Sequence, residues 1–352
     1  MSVRVRRSVA GLKAYVPGEQ PRDGRYVKLN TNECPYPPSP LVKQALEGMG
    51  TDLLRLYPDP VSQELRTAIA ELHGRTPAEV FVGNGLDEVL SLCVRGFVEN
   101  DGAVGYMEPS YSLYPVLADI RGLGKRPVPL GPRFEWRMPA GYSADIFLLT
   151  NPNAPTGLRC DMDLVREFCR GFGGLVVVDE AYVDFSDGHC MDLASSEKNV
   201  LVLRSLSKSY SLAGVRIGYA VGAEESIRIL FKIKDSYNLD RVSQALACAA
   251  IRDQAHMRAN VERIKTTRAR LSAALSGMGW EVYPSQANFI WTRPAGHHAR
   301  AVYEALRRKK VLVRHFDGPR TGDYLRISIG TDAEIDTLLT AIRDIAKEGG
   351  AG

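Results

Sequence analysis

The chain lacks any C-x-x-C pair. Its six cysteines (Cys34, Cys93, Cys160, Cys169, Cys190, Cys248) are scattered, and with the six histidines they make no metal-binding spacing. His297-His298 lies in a loop flanked by Pro and Gly and reads as solvent-exposed. No apolar run approaches the length of a membrane span, and the first residues lack the apolar core of a signal peptide. The expected setting is therefore the cytoplasm, with reduced thiols. One-sided charge is missing too: 45 Lys and Arg against 41 Asp and Glu leave +4 and a pI near 8.7. That suits anionic substrates and is too weak to argue for nucleic acid. The basic runs Arg307-Arg308-Lys309-Lys310 and Arg4 to Arg7 read as solvated faces or ends. Repeats and low-complexity tracts are absent.

What is present is an ordinary globular composition, 45% hydrophobic and 24% charged over 352 residues. That is enough for one large core and a smaller satellite domain. Residues 1–40 read as an arm, rich in Gly and Pro, around the polar segment Leu29-Asn30-Thr31-Asn32-Glu33. A helix is expected from Ser62 to about His73. Short apolar runs then alternate with helical periodicity. Val80-Phe81-Val82, Ala103 to Tyr106, Asp145 to Leu149, Leu175 to Val178 and Asn199 to Leu203 read as strands, and 161–172 as a helix between two of them. This alternation implies right-handed crossovers and a mostly parallel sheet. The turn Gly83-Asn84-Gly85 opens a helix with Leu86, Val89, Leu90, Cys93, Val94 and Phe97 on one face, a ready cradle for a phosphate. Asp87 and Glu88 suit the helix dipole and should point away from any phosphate there. Residues 243–275 read as one helical stretch, stopped by Ser276-Gly277-Met278-Gly279. Beyond it come strands near 281–292, 311–316 and 324–330, a helix near 299–309, and a last helix opened by a capping box from Thr331 to Glu334.

The chemistry concentrates between Leu175 and Gly218. One apolar run ends on Asp179-Glu180-Ala181-Tyr182, the next on Arg204-Ser205-Leu206-Ser207-Lys208, with Arg216-Ile217-Gly218 close behind. In open α/β sheets ligands collect beyond the carboxyl ends of the strands. An acid, a phenol, two hydroxyls, a lysine and an arginine are thereby expected at one edge. Alone, Ser-x-Ser-Lys would be a surface turn and Asp179 a strand-end cap. Together, each after a strand, they suit pyridoxal phosphate, which needs a lysine for its aldehyde and an acid for its ring nitrogen. Lys208 and Asp179 would fill those roles. Ser205, Ser207 and Arg216 would hold the phosphate.

These motifs resemble the fold-type I pyridoxal-phosphate aminotransferases over essentially the whole chain, and the histidinol-phosphate aminotransferases most of all. The resemblance is carried by Tyr15 to Pro21, Leu29 to Glu33, Tyr57-Pro58, Gly83-Asn84-Gly85, Pro109-Ser110-Tyr111, Asn151 to Gly157, Asp179 to Tyr182, Ser205 to Lys208, Arg216 to Gly218, Val313-Arg314 and Leu325 to Ser328. It implies a mostly parallel seven-stranded sheet flanked by helices in a large domain (41–275), a smaller α+β domain (276–352) and the N-terminal arm (1–40). It implies that Lys208, Asp179 and Tyr182 are catalytic, with Tyr182 at the ring hydroxyl and Tyr111 stacked on the ring. The amides of Gly85, Leu86 and Asp87 would join Ser205, Ser207 and Arg216 on the cofactor phosphate. Tyr57 would reach the cofactor of a second subunit, making the active unit a homodimer. Arg314 and Arg326 would grip the phosphate of histidinol phosphate, Arg326 also the carboxylate of glutamate or 2-oxoglutarate, and Tyr15 and Asn32 would close the pocket. Where the family has asparagine before Pro-Thr-Gly this chain has Ala154, so either Asn153 takes over its contact with the ring hydroxyl or Tyr182 makes it alone. An aromatic amino-acid aminotransferase, or a decarboxylase of a phosphorylated amino acid such as threonine phosphate, would share the scaffold.

Overall fold

The computed structural model describes residues 3–13, 17–21 and 26–349. Near the start, β1 (Val27–Lys28) breaks an otherwise irregular segment. The main sheet comprises β2 (Val80–Asn84), β3 (Ala103–Glu108), β4 (Gly124–Pro129), β5 (Ile146–Thr150), β6 (Leu175–Asp179), β7 (Val200–Ser205) and β8 (Ile217–Gly222), in the order β2-β8-β7-β6-β5-β3-β4. Neighbouring strands are parallel except that β8 runs against both β2 and β7. Strands β5 and β6 are buried at every position, as continuous apolar runs in a parallel sheet covered on both faces should be.

Two strands of the main sheet were not read from the sequence as strands, β4 and β8, nor was β1 in the early segment. Strand β4 carries Pro127 and Pro129 and buries only Val128. It survives at the sheet edge, where a missing N–H on the outer side is harmless. The single helical stretch expected over 243–275 is two helices, Arg241–Arg252 and Gln254–Gly277. Asp253 divides them, its carboxylate capping the second helix through the His256 amide at 3.1 Å.

The C-terminal part forms a second sheet from β9 (Glu281–Val282), β10 (Phe289–Arg293), β12 (Arg314–His315) and β13 (Leu325–Ser328), in the antiparallel order β12-β13-β10-β9. The remaining strand, β11 (Val311–Leu312), pairs in parallel with β1, so the early segment is hydrogen-bonded to the C-terminal part. The expected capping box opens the last helix, Asp332–Gly349: Glu334 accepts from the Thr331 amide at 2.7 Å, and the Glu334 amide donates to Thr331 Oγ1 at 3.3 Å.

Candidate active site

Three strand ends and one helix start meet at a single edge of the main sheet. Strand β6 ends on Asp179, which is buried and lies opposite Thr150 of β5. Its Oδ2 accepts from the Tyr114 hydroxyl at 2.8 Å and its Oδ1 from the Ala181 amide at 3.1 Å. Burial pushes the Asp179 carboxyl up to about 6; Asp87 and Glu180 add to the rise, while the Tyr114 and Ala181 bonds oppose it. Next to Asp179, Glu180 is fully buried and paired with Arg204 of β7 at 2.9 Å, which ties the ends of β6 and β7 together.

Lys208 follows β7 in the connection to β8. Its Nζ lies 3.5 Å from the Thr31 carbonyl and 5.8 Å from the centre of the Tyr182 ring. The amine is pushed down to about 8, first by burial, then by the charges of Arg326 and Arg216, with Glu33 and Asp87 opposing. Burial raises the Tyr182 phenol, while Arg326 and Asn32 draw it back. Tyr182 Oη accepts from Asn32 Nδ2 at 3.0 Å, which leaves its own proton available for donation. Asn32 is itself fixed by Ser328, whose hydroxyl donates to Asn32 Oδ1 at 2.9 Å, and by Asn288, which donates to the Asn32 carbonyl at 2.9 Å.

The helix Gly85–Phe97 starts directly on β2, and its N-cap Asn84 makes no side-chain capping bond. Gly85 has φ +75°, and a Cβ there would strike the Arg216 guanidinium. Arg216 Nη1 lies 3.5 Å from Ser207 Oγ, and the Ser207 amide donates to Ser205 Oγ at 3.1 Å. Leu86 is buried behind this turn. Of the two acids on the first turn, Glu88 accepts from the Asn84 amide at 2.5 Å and from Asn238 at 3.0 Å. The Asp87 carboxylate instead meets Arg216 at 3.4 Å and takes the Tyr111 hydroxyl at 3.1 Å. A guanidinium at the mouth of the cradle attracts the nearest carboxylate, and Asp87 is on the same turn.

Across the cleft, Arg314 and Arg326 are direct partners in the β12–β13 ladder and so share one face. Arg326 donates to the Asn30 carbonyl at 3.0 Å and lies over the Phe289 ring, while Arg314 donates to the Pro17 carbonyl at 3.2 Å. Both are thus oriented by the early segment. Tyr15 lies outside the described residues. Tyr57 is far more exposed than the rest, 76%, and stacks on Tyr237 at 4.4 Å. Asn153 is buried and spends both amide hydrogens on its surroundings, one on the Pro109 carbonyl past β3 (3.2 Å) and one on Thr156 in its own loop (3.0 Å). Tyr114 and Thr150, which touch each other and Asp179, went unnoticed in the sequence because neither sits in a recognisable motif.

A model of the family described as aminotransferase class I and II matches residues 25–342, and the chain is an aminotransferase of that class. It is 44% identical over 345 residues to the histidinol-phosphate aminotransferase of Geobacter sulfurreducens, covering 97% of this chain and 99% of that one. The corresponding protein of Synechocystis is 43% identical over 346 residues, covering 97% and 98%. Within its class the chain belongs to the histidinol-phosphate aminotransferase family. A crystal structure of the Sinorhizobium meliloti member in complex with pyridoxal-5'-phosphate superposes with a TM-score of 0.85 at 27% identity over 91% of both chains. The fold is accordingly the fold-type I aminotransferase fold, with a second, smaller sheet beside the seven-stranded one.

Proposed function

We propose that the chain binds pyridoxal phosphate and exchanges the amino group of histidinol phosphate with 2-oxoglutarate, giving imidazole-acetol phosphate and glutamate, a step of histidine biosynthesis. One observation carries the reading. The Lys208 amine is under the influence of two arginines from different sheets, Arg216 beside the glycine turn at the edge of the main sheet and Arg326 of the second sheet. One poised amine between two anion sites suits a phosphorylated cofactor on one side and an anionic substrate on the other.

The residues fit the cofactor. At Gly85 the space a side chain would need is taken by Arg216, and the helix amides behind it have no side-chain cap. Ser205, Ser207, Arg216 and the amides of Gly85, Leu86 and Asp87 would hold its phosphate, Tyr111 would cover its ring, and Asp179 would face its ring nitrogen. Asn153 has no amide hydrogen left to give, so a hydrogen bond donated to the ring oxygen would come from Tyr182, while the unpartnered Asn153 Oδ1 can only accept. When bound, the cofactor supplies an aldehyde for covalent capture of amines and a ring that draws electrons from the bond being broken. Lys208, with its proton loosely held, would take the proton from the substrate Cα and return one at the end of the cycle. Asp179, ionised above about pH 6, would stabilise positive charge in front of it. Arg314 and Arg326 would anchor the substrate phosphate, and Arg326 the carboxylate of the second substrate, so both fit one pocket in turn.

The chain would work as a cytoplasmic homodimer. Exposed Leu53, Leu54, Leu56 and Tyr57 support a partner surface, with Tyr57 reaching the neighbouring cofactor, and the unpaired cysteines support a reducing compartment. Residues 1–40, 41–275 and 276–352 would be arm, cofactor domain and small domain, the arm bound to the small domain through β1 and β11. The deciding experiment compares histidinol phosphate, phenylalanine and threonine phosphate as substrates of the purified protein. Turnover is expected with histidinol phosphate; none with it, against turnover of either alternative, sinks the proposal. Sedimentation tests the dimer separately.

A further inference from the structure

Tyr114 lies in the first turn of the helix Leu113–Arg121 and has no exposed surface. Its hydroxyl is 2.8 Å from Asp179 Oδ2 and 2.5 Å from Thr150 Oγ1. A phenol has one proton, and an ionised carboxylate only accepts. The proton therefore goes to Asp179, and the phenol oxygen accepts from Thr150. All three groups are buried, and Thr150 and Asp179 are register partners on β5 and β6, so the sheet itself sets the spacing. Such a chain of bonds in a water-poor site is self-reinforcing.

We propose that Tyr114, oriented by Thr150, is a positioning residue that locks the Asp179 carboxylate in one orientation and keeps it ionised. The inference rests on the reading of Asp179 as the partner of the cofactor ring, and it concerns what makes that partner usable. Without help a buried acid takes up a proton and can no longer balance a cation. Around Asp179, burial, Asp87 and Glu180 favour the neutral form, while the Tyr114 hydroxyl and the Ala181 amide favour the ionised one. Tyr114 and Tyr182 feel charge from the same cluster, Tyr114 from Asp179 and Tyr111, Tyr182 from Asp179 and Asp87. Of the two opposing bonds only Tyr114's comes from a side chain, so it is the one a substitution can remove.

The test is carbon-13 NMR of the full-length apoenzyme carrying aspartate labelled at the carboxyl carbon, with the Asp179 signal assigned by its loss in Asp179→Asn. In the unsubstituted chain the midpoint is expected near 6. Tyr114→Phe should raise it by about one pH unit or more, the scale of a hydrogen bond to a charged acceptor. Thr150→Val should raise it less, and should add nothing in the Tyr114→Phe background, because Thr150 acts through the phenol. An unmoved midpoint in Tyr114→Phe overturns the inference, as does a Thr150→Val effect of equal size in both backgrounds. If Tyr114→Phe does not fold, Thr150→Val alone decides, and no upward shift there overturns it. In the holoenzyme, Tyr114→Phe should lower kcat and move its acid limb upward while KM changes little; a merely structural role would leave the limb in place. A wild-type protein that binds no pyridoxal phosphate would remove the functional reading yet leave the titration readable. An unmoved titration in an active enzyme would remove only the inference.

Discussion

The poised amine of Lys208 gives the sharpest numerical expectation. Burial and the two arginines bring it from 10.5 to about 8. At pH 7 roughly one molecule in ten then carries the neutral amine, about 300-fold more than an ordinary lysine would provide. The neutral form alone is nucleophilic, so covalent capture of an aldehyde should follow its titration. Apoenzyme would be exposed briefly to limiting pyridoxal phosphate at a series of pH values and reduced with borohydride. Labelling of the peptide bearing Lys208 would then be counted by mass spectrometry. The initial rate should rise to a plateau with its midpoint near 8. Arg326→Gln removes a neighbouring cation and should move that midpoint upward, by a few tenths to about one unit. A midpoint above 10 in the unsubstituted chain, or a downward move in Arg326→Gln, would refute the electrostatic reasoning. Labelling spread over other lysines would refute the choice of residue.

Three further outcomes follow from the same geometry. Because Asp179 is raised from 3.8 to about 6, the folded chain binds its proton more tightly than the unfolded one, so stability falls as pH rises through that window, by about 3 kcal/mol in all. Apoenzyme with Asp179→Asn should therefore resist urea better than the parent at pH 7.5, by up to about that amount, with the advantage shrinking towards pH 4; a less stable variant at pH 7.5 contradicts this. Arg204→Met leaves the buried Glu180 carboxylate without its partner and should cost about 3–5 kcal/mol in urea unfolding, and a loss below about 1 kcal/mol would mean that the ion pair does not hold the two strand ends. Gly85→Ala forces a Cβ against Arg216 at φ +75° and should weaken pyridoxal phosphate binding by about tenfold or more in equilibrium dialysis; unchanged affinity would rule out the cradle.

The main sheet was legible wherever burial on both faces wrote an uninterrupted apolar run, as in Val176-Val177-Val178 and Val200 to Leu203. Polar residues placed just past those runs are brought to one edge of the sheet, where the proposed site lies. The edge strand β4 was hidden because its ladder with β3 tolerates two prolines that local rules forbid inside a strand. Residues 243–275 concealed a break because Asp253 looks like an ordinary surface acid until its carboxylate is seen on the His256 amide. The contact of the Asp87 carboxylate with the guanidinium of Arg216, 129 residues further along, lies beyond the reach of a helix-dipole argument, which weighs only the helix's own first turn. Tyr114 stayed invisible for a related reason. On a helix it reads as one more core aromatic, and its partner Asp179 comes from 65 residues further along. Residue type and period foretell what is buried, but which polar atoms meet is decided by the topology.

That topology accounts for the placing of the proposed anion cradle. In a wholly parallel sheet every strand delivers its last residues to one edge and its first residues to the other. Strand β8 is reversed, so its beginning, not its end, lies at the edge where β2, β5, β6 and β7 finish. Arg216 immediately precedes β8 and is thereby carried to the same edge as Ser205 and the start of the helix Gly85–Phe97. The ladders fix the fit residue by residue: Asn84 faces Ile217 and Ser205 faces Gly218. Gly218 must be glycine there, since a Cβ would lie 2.6 Å from the Leu86 amide nitrogen at the helix start. Lys208 sits in the short return between β7 and β8, the one connection that never leaves this edge. Had β8 joined through a right-handed crossover, Arg216 would stand at the far edge, roughly 17–20 Å away across a strand of ordinary length, and no side chain could bridge the gap.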